Sequence, residues 1–191
     1  MITFNKKGET PLDDISGLLV KGITTRGELD IAEANNILEA YLKYTINPAQ
    51  VAELDFDTQF LQKLHREMFG KVWSWAGEFR TTQTSIGVEA VQIRQALYQL
   101  IDDLKFWQTS WHYEETAVRL HYSLVKIHPF LNGNGRWARL ATDIWLLSIG
   151  KDVLAWGGNI TDEGKSRSEY ILALQEADSR GYERLHQFMF P

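Results

Sequence analysis

The sequence of 191 residues contains no cysteine. That excludes a disulfide framework, a thiolate zinc site and a cysteine nucleophile, and it is compatible with a reducing compartment. An excess of basic residues is also missing: the formal net charge is −5, which disfavours bulk nucleic-acid binding. No stretch approaches the eighteen or so consecutive apolar residues of a membrane span. Met1 to Lys7 lacks a basic start followed by an apolar run, so no signal peptide is expected. Repeats, low-complexity tracts and linkers are absent from the sequence as well. What is there in quantity is apolar surface, at 44% of residues, enough for one globular domain with a full core. These features together predict a soluble cytoplasmic protein without a membrane or nucleic-acid partner.

Periodicity predicts a mainly helical chain. Residues 1–23 carry Gly8, Pro11, Gly17 and Gly22 without a clear period and are expected to form an irregular arm. Thr25-Arg26-Gly27-Glu28 fits a capping box, and Leu29, Ala32, Asn36 and Ala40 follow at helical spacing. Pro48 breaks that pattern. Phe60, Leu61, Leu64 and Met68 predict a second helix ending at Gly70. Residues 71–90 mix aromatic and β-branched side chains with Gly77 and Gly87, and predict a short β-hairpin. Helical spacing returns in Ile93–Trp107, in Ala117–Val125, from Gly133 to Gly150, in Tyr170–Ala177 and in Leu185–Met189. A division into an arm with a first helix (1–45) and a main unit (46–191) follows.

The segment that carries chemistry is His128-Pro129-Phe130-Leu131-Asn132-Gly133-Asn134-Gly135-Arg136-Trp137-Ala138-Arg139. Two glycines one residue apart permit a tight turn with amides directed inward, a concavity suited to anions. A helix follows at once, and its first amides add partial positive charge. Arg136 and Arg139 lie three apart and can share a face of that helix, presenting two guanidinium forks to a polyphosphate. His128, just before the turn, has the ordinary pKa of ~6.5 that suits a general base. A competing pattern exists. Gly133-x-Gly135-x-x-Ala138 matches G-x-G-x-x-A, and Asp152 lies roughly twenty residues on. That fingerprint needs a preceding strand, whereas these flanks have a helical period. A plain glycine turn with solvent-facing arginines leaves the shared offsets of His, Pro, Phe and a second Arg unexplained. The histidines His112, His121 and His128 lack the acidic partner of a known ligand spacing, which makes His121 a core residue beside the active loop. The seven tryptophans are read as core rather than a base-stacking platform.

The segment resembles the Fic signature HPF-x-(D/E)-GNGR-x-x-R, matching at His128, Pro129, Phe130, Gly133, Asn134, Gly135, Arg136 and Arg139. Val72–Arg80 is similar to the stretch leading into that family's flap, and Tyr170–Asp178 to its closing helix. Ile23-Thr24-Thr25-Arg26-Gly27-Glu28-Leu29 resembles the opening of a subgroup called mobile mystery protein B.

The resemblance implies a helical bundle with a β-hairpin flap, and transfer of AMP from ATP to a Ser, Thr or Tyr hydroxyl of a target protein. Related transfers of UMP, GMP, phosphate or phosphocholine, or nucleotide binding without turnover, are the alternatives. His128 is implied as base. The backbone of Gly133, Asn134 and Gly135 is implied as anion hole, the Asn134 side chain as a phosphate ligand, and Arg136 and Arg139 as clamps for the outer phosphates. Phe130 is implied as the loop's core anchor. Asn132 stands where the family usually places Asp or Glu for Mg²⁺. An uncharged amide lowers the expected affinity for Mg²⁺ or Mn²⁺ and leaves more of the metal binding to the phosphates. The hairpin 80–88, with Thr82, Thr84, Ser85 and Ile86, is implied as the flap that pairs with the target's backbone. An inhibitory glutamate is implied opposite the second motif arginine. Glu33 and Glu28 are the candidates, and Glu28 has a competing role in the capping box. A toxin–antitoxin setting, a small helix-turn-helix partner and a homodimer complete the expectations.

Overall fold

The computed structural model describes residues 16–46, 48–156, 165–179 and 181–191. Helix α1 spans Arg26–Thr45, α2 Pro48–Ala52, α3 Thr58–Phe69, α4 Ile93–Ser110, α5 Tyr113–Ile127, α6 Asn134–Ser148, α7 Lys165–Ala177 and α8 Glu183–Met189. A single 3₁₀ turn at Ala90–Gln92 leads into α4. The helix positions follow the sequence period closely. Pro48 ends the first pattern and then opens α2, where its missing amide costs nothing.

Local chemistry explains the boundaries. The Thr25 hydroxyl accepts from Glu28 N at 3.3 Å, and Glu28 Oε2 accepts from Thr25 N at 2.9 Å, closing the expected capping box of α1. Asp57 caps α3 by accepting from Phe60 N at 2.7 Å. At the other end of α3, Asn36 of α1 donates to Glu67 O at 2.8 Å and accepts from Lys71 N at 3.0 Å. One buried amide thereby satisfies two backbone groups at a helix end.

The core gathers around α6, which touches α1, α2, α3 and α5. Trp137, Ala138, Ala141, Ile144 and Leu146 are fully buried, so α6 hides nearly its whole circumference, as a central helix must. Leu61, Leu64 and Met68 of α3, Leu97 of α4, and Leu120 and Leu124 of α5 complete the interior. This central position matters because the start of α6 carries the signature.

The predicted hairpin does not form as paired strands among the described residues. The one bridge is Leu18 with Trp73, supported by Leu19 N donating to Val72 O and Ser74 N to Gly17 O, each at 2.8 Å. Thus the end of the arm, not residues 80–88, supplies extended pairing. The physical reason lies in Arg80. Its guanidinium donates to Thr82 O at 3.0 Å and also to Val88 O, filling the space between the two limbs. The limbs' terminal amides turn outward instead, Arg80 N to Pro129 O at 2.9 Å and Val88 N to Ile127 O at 3.3 Å. Residues 1–15 of the expected arm lie outside the described residues. Among the described residues no helix is long and apolar enough to cross a membrane.

Candidate active site

His128 is the residue that ends α5. It adopts a left-handed conformation, φ 51° and ψ 59°, unusual for a side chain with a Cβ. The turn is held by His128 N donating to Leu124 O at 3.3 Å and by Arg80 Nε donating to His128 O at 2.8 Å. Gly87 presses on it from the flap loop: a Cβ on Gly87 would stand 2.7 Å from His128 Cβ. His128 is 8% exposed. Its Nδ1 faces Val125 O at 3.4 Å. A carbonyl can only accept, so Nδ1 carries the proton and Nε2 offers the free lone pair. Burial pushes the imidazole pKa down to about 4, with the Arg80 charge adding to that and the Val125 contact opposing it. It is therefore uncharged at neutral pH, with the Nε2 lone pair available as a proton acceptor.

The turn between His128 and α6 is built from its own groups. Phe130 is wholly buried, stacked on His65 at 3.7 Å and edge-on to Trp137 at 5.0 Å. Asn134 closes the loop: its Oδ1 accepts from Phe130 N at 2.9 Å and its Nδ2 donates to Phe130 O at 2.8 Å. In this conformation the Asn134 side chain braces the loop. Each end of that amide makes one bond to the loop, and the residue is 2% exposed. Asn132 Oδ1 accepts from Gly133 N at 2.7 Å, which removes the Gly133 amide from the expected anion hole. Gly133 itself has φ 77°, and a Cβ there would collide with the Phe69 ring. The first intrahelical amide of α6 to bond is Trp137 N, to Gly133 O at 2.9 Å. The amides of Asn134, Gly135 and Arg136 project from the helix end, a place suited to an anion.

The two arginines face different surroundings. Arg136 lies over the Phe69 ring at 4.9 Å, and its Nη1 donates to Glu33 Oε2 at 2.6 Å. Glu33 is 1% exposed, and its other oxygen accepts from Trp73 Nε1 at 2.7 Å. The glutamate of α1 therefore meets the first motif arginine, not the second as expected. Arg139 lies over the Tyr170 ring at 5.5 Å, and burial lowers its pKa. Behind it, Thr142 spends its hydroxyl proton on Ala138 O at 2.8 Å. His121 Nδ1 therefore donates to Thr142 Oγ1 at 3.5 Å, and Nε2 accepts from Tyr170 OH at 2.9 Å. Desolvation holds His121 neutral, with a pKa of about 3. Glu28 is excluded from the arginines in this conformation, because its carboxylate is occupied by Thr24 N, Thr24 Oγ1 and Thr25 N.

Thr82, Ser85 and Ile86 are exposed, and Thr84 Oγ1 donates to Ile86 O at 2.6 Å. The flap loop thus stands over the histidine, fastened at both ends and open at its tip. A metal finds little protein here. Asn132 is uncharged and engaged, and among the described residues no group of three His, Asp or Glu converges.

Sequence reasoning missed His65, Arg80 and Trp73 as members of this site. A lone histidine on the apolar stripe of Leu61, Leu64 and Met68 was the available signal for His65. Trp73 and Arg80 stood inside the recognised Val72–Arg80 stretch, but nothing in their spacing told which partners they would find.

The model of the Fic/DOC family matches residues 55–146. The chain is 32% identical over 163 residues to the Protein adenylyltransferase Fic of Drosophila virilis, covering 81% of this chain and 33% of that protein. The Protein adenylyltransferase Fic of Drosophila grimshawi is 35% identical over 128 residues, with 63% of this chain and 26% of that protein covered. The chain thus spans about a quarter to a third of the length of these curated relatives. Among solved structures, the N-terminal FIC domain of Bep8 from Bartonella sp. 1-1C superposes with a TM-score of 0.68 at 16% identity, covering 88% of this chain and 86% of that one. BepC of Bartonella tribocorum, crystallised with bound AMPPNP, superposes at 0.63 and 19% identity, covering 88% and 87%. The signature loop and most of α6 lie inside the match, so residues 55–146 are a Fic/DOC family domain.

Proposed function

We propose that the chain is a protein adenylyltransferase that moves AMP from ATP to a Ser, Thr or Tyr hydroxyl of a target protein. The observation that carries this is a neutral, buried His128 whose Nδ1 is tied to Val125 O, directly before a helix end that offers free amides and two arginines. His128 Nε2 takes the proton of the target hydroxyl. The freed oxygen attacks the α-phosphorus, the bond to the β-phosphate oxygen breaks, and pyrophosphate leaves. The amides of Asn134, Gly135 and Arg136 and the Arg136 and Arg139 side chains stabilise the phosphate charge. Positioning and electrostatics supply most of such a rate. Mg²⁺ or Mn²⁺ would enter on the phosphates of ATP, and no step is assigned to it.

The reading includes an off state. Glu33 holds Arg136 at 2.6 Å, so an ATP phosphate must displace a carboxylate to reach that arginine. The loop Thr82-Gln83-Thr84-Ser85-Ile86 is the surface for the target's segment, its exposure supporting the assignment. Membership of the mobile mystery protein B subgroup, with a toxin–antitoxin setting and a small helix-turn-helix partner, extends the reading on the likeness of Ile23–Leu29 alone; a homodimer is a separate extension that the family resemblance leaves open. A cysteine-free composition supports a cytoplasmic setting. One observation favours a second reading, a module that binds nucleotide without turnover: both Asn132 and Asn134 are occupied by the loop.

Label from α-labelled ATP, compared with γ-labelled ATP, tests the first reading. Transfer of the α label only, lost in His128→Ala with the fold intact, supports it. Equal labelling by wild type and His128→Ala, or transfer of the γ label, overturns it.

A further inference from the structure

His65 of α3 is wholly buried and has no part in the proton or phosphate chemistry above. Its ring is packed between Phe130, at 3.7 Å with the planes 18° apart, and Phe69, at 4.7 Å. Both of its nitrogens are spent on backbone. Gly77 N donates to Nδ1 at 3.0 Å, and Nε2 faces Asn132 O at 3.0 Å. An amide can only donate and a carbonyl can only accept, so the tautomer is determined: lone pair on Nδ1, proton on Nε2. Burial supports this neutral form by pushing the pKa down to about 3.

The two peptides it holds belong to the two halves of the site. Asn132 O lies on the peptide that joins Asn132 to Gly133, at the turn where the anion-binding amides begin. Gly77 lies three residues before Arg80, at the root of the loop over His128. A second α3 side chain grips the same root, with Gln62 Nε2 donating to Gly77 O at 3.1 Å. The other ties between the halves run directly from loop to turn, Arg80 N to Pro129 O, Val88 N to Ile127 O and Arg80 Nε to His128 O. His65 differs in kind, because it joins both halves to α3 through one rigid ring.

We infer that His65 is a positioning residue: one neutral imidazole sets the distance and register between the nucleotide-holding turn and the acceptor-presenting loop. The inference rests on the transferase reading. Reacting groups displaced by about 1 Å can cost roughly 10²-fold in rate, so a side chain that fixes both loops acts on turnover without touching substrate.

The two bonds can be cut separately. Glutamine places its amide near Nε2 and keeps the donor to Asn132 O. Asparagine places its oxygen near Nδ1 and keeps the acceptor for Gly77 N. Phenylalanine keeps the stack and loses both. Amide exchange at residues 77–90 and 130–136, ATP affinity by calorimetry, and kcat and KM for the acceptor protein are measured for wild type, His65→Gln, His65→Asn and His65→Phe. The expected result is a split. His65→Gln holds ATP affinity within about twofold, raises acceptor KM and speeds exchange in 77–90. His65→Asn weakens ATP and speeds exchange in 130–136. His65→Phe does both and lowers kcat about tenfold or more. Uniform loss of folded protein, or equal changes in both loops for Gln and Asn, overturns the inference. If wild type transfers no AMP, the transferase reading fails, and the exchange and ATP-binding arms still decide whether His65 couples the two loops.

Discussion

The turn 128–136 and the loop 80–88 are fastened to each other at their bases and differ in almost everything else. In the turn, Phe130 is buried, Asn134 bonds the loop backbone through both ends of its amide, and Asn132 caps its neighbour. In the loop, Thr82, Ser85 and Ile86 are exposed, and a single arginine holds the Thr82 and Val88 carbonyls. Under the proposed transferase reading, the difference divides the work. A triphosphate has one shape and rewards a stiff cradle whose amides need no reorganisation. A protein segment varies in shape and rewards a tip that can adapt, provided its root is fixed.

Removing the fastening has the largest expected effect on that contrast. Arg80→Ala strips donors from His128 O, Thr82 O and Val88 O. One of these carbonyls is buried, and the loss should cost about 2–3 kcal/mol in denaturant unfolding, with AMP transfer falling at least ~10-fold because the His128 turn loses its brace. Unchanged stability would mean the loop is not anchored through this guanidinium.

Acidification should attack the stiff side next. His65, His121 and His128 have pKa values of about 3, about 3 and about 4 in the fold, below the ~6.5 of an unfolded histidine. Depressed values mean that the stability they contribute is present above ~6.5 and is lost as pH falls through about 4 to about 3. Asp143 works in the opposite sense. Burial raises it to about 7, so its contribution is complete below an unfolded carboxylate's ~3.9 and is lost as pH rises through about 7. Near pH 5 the three imidazoles outweigh the one carboxyl, and unfolding should take up about two protons. Urea melts between pH 7 and 4 should show stability dropping steadily. A flat profile would contradict the buried neutral imidazoles.

The smallest effect belongs to the loop tip. Ile86→Asp should raise acceptor KM by less than about tenfold, in keeping with one exposed contact, and leave ATP affinity and melting temperature unchanged. A loss of ATP binding in that variant would erase the proposed division between the two loops.

Much of this was legible in the chain because helical period and caps are local. The capping box of α1 and the stop of α3 at Gly70 were read directly from residue order. Glu33 and Glu28 mark the boundary of legibility. They sit on one helix, and Glu33 lies four after Leu29 and three before Asn36, on the stripe that proves buried. The stripe was readable. The partner was not, because whether a carboxylate meets the first or second arginine depends on how α1 packs against α3 and α6. The missing hairpin has the same origin. β-Branched residues around two glycines predict strands, but a buried arginine from the same segment claimed the carbonyls that pairing needs. The bracing of the loop by Asn134 was not legible, because a side chain that folds back on its own loop looks, in sequence, like one that reaches for a ligand.

The most direct test of the central claim is transfer of label from α-labelled ATP to protein by Glu33→Gly and by Glu33→Gly combined with His128→Ala. Freed from the carboxylate, Arg136 should be open to phosphate. The first variant should label more strongly than wild type, and the second should not label at all. A Glu33→Gly protein that binds ATP yet labels no better than wild type, or labelling that survives the loss of His128, would contradict the account.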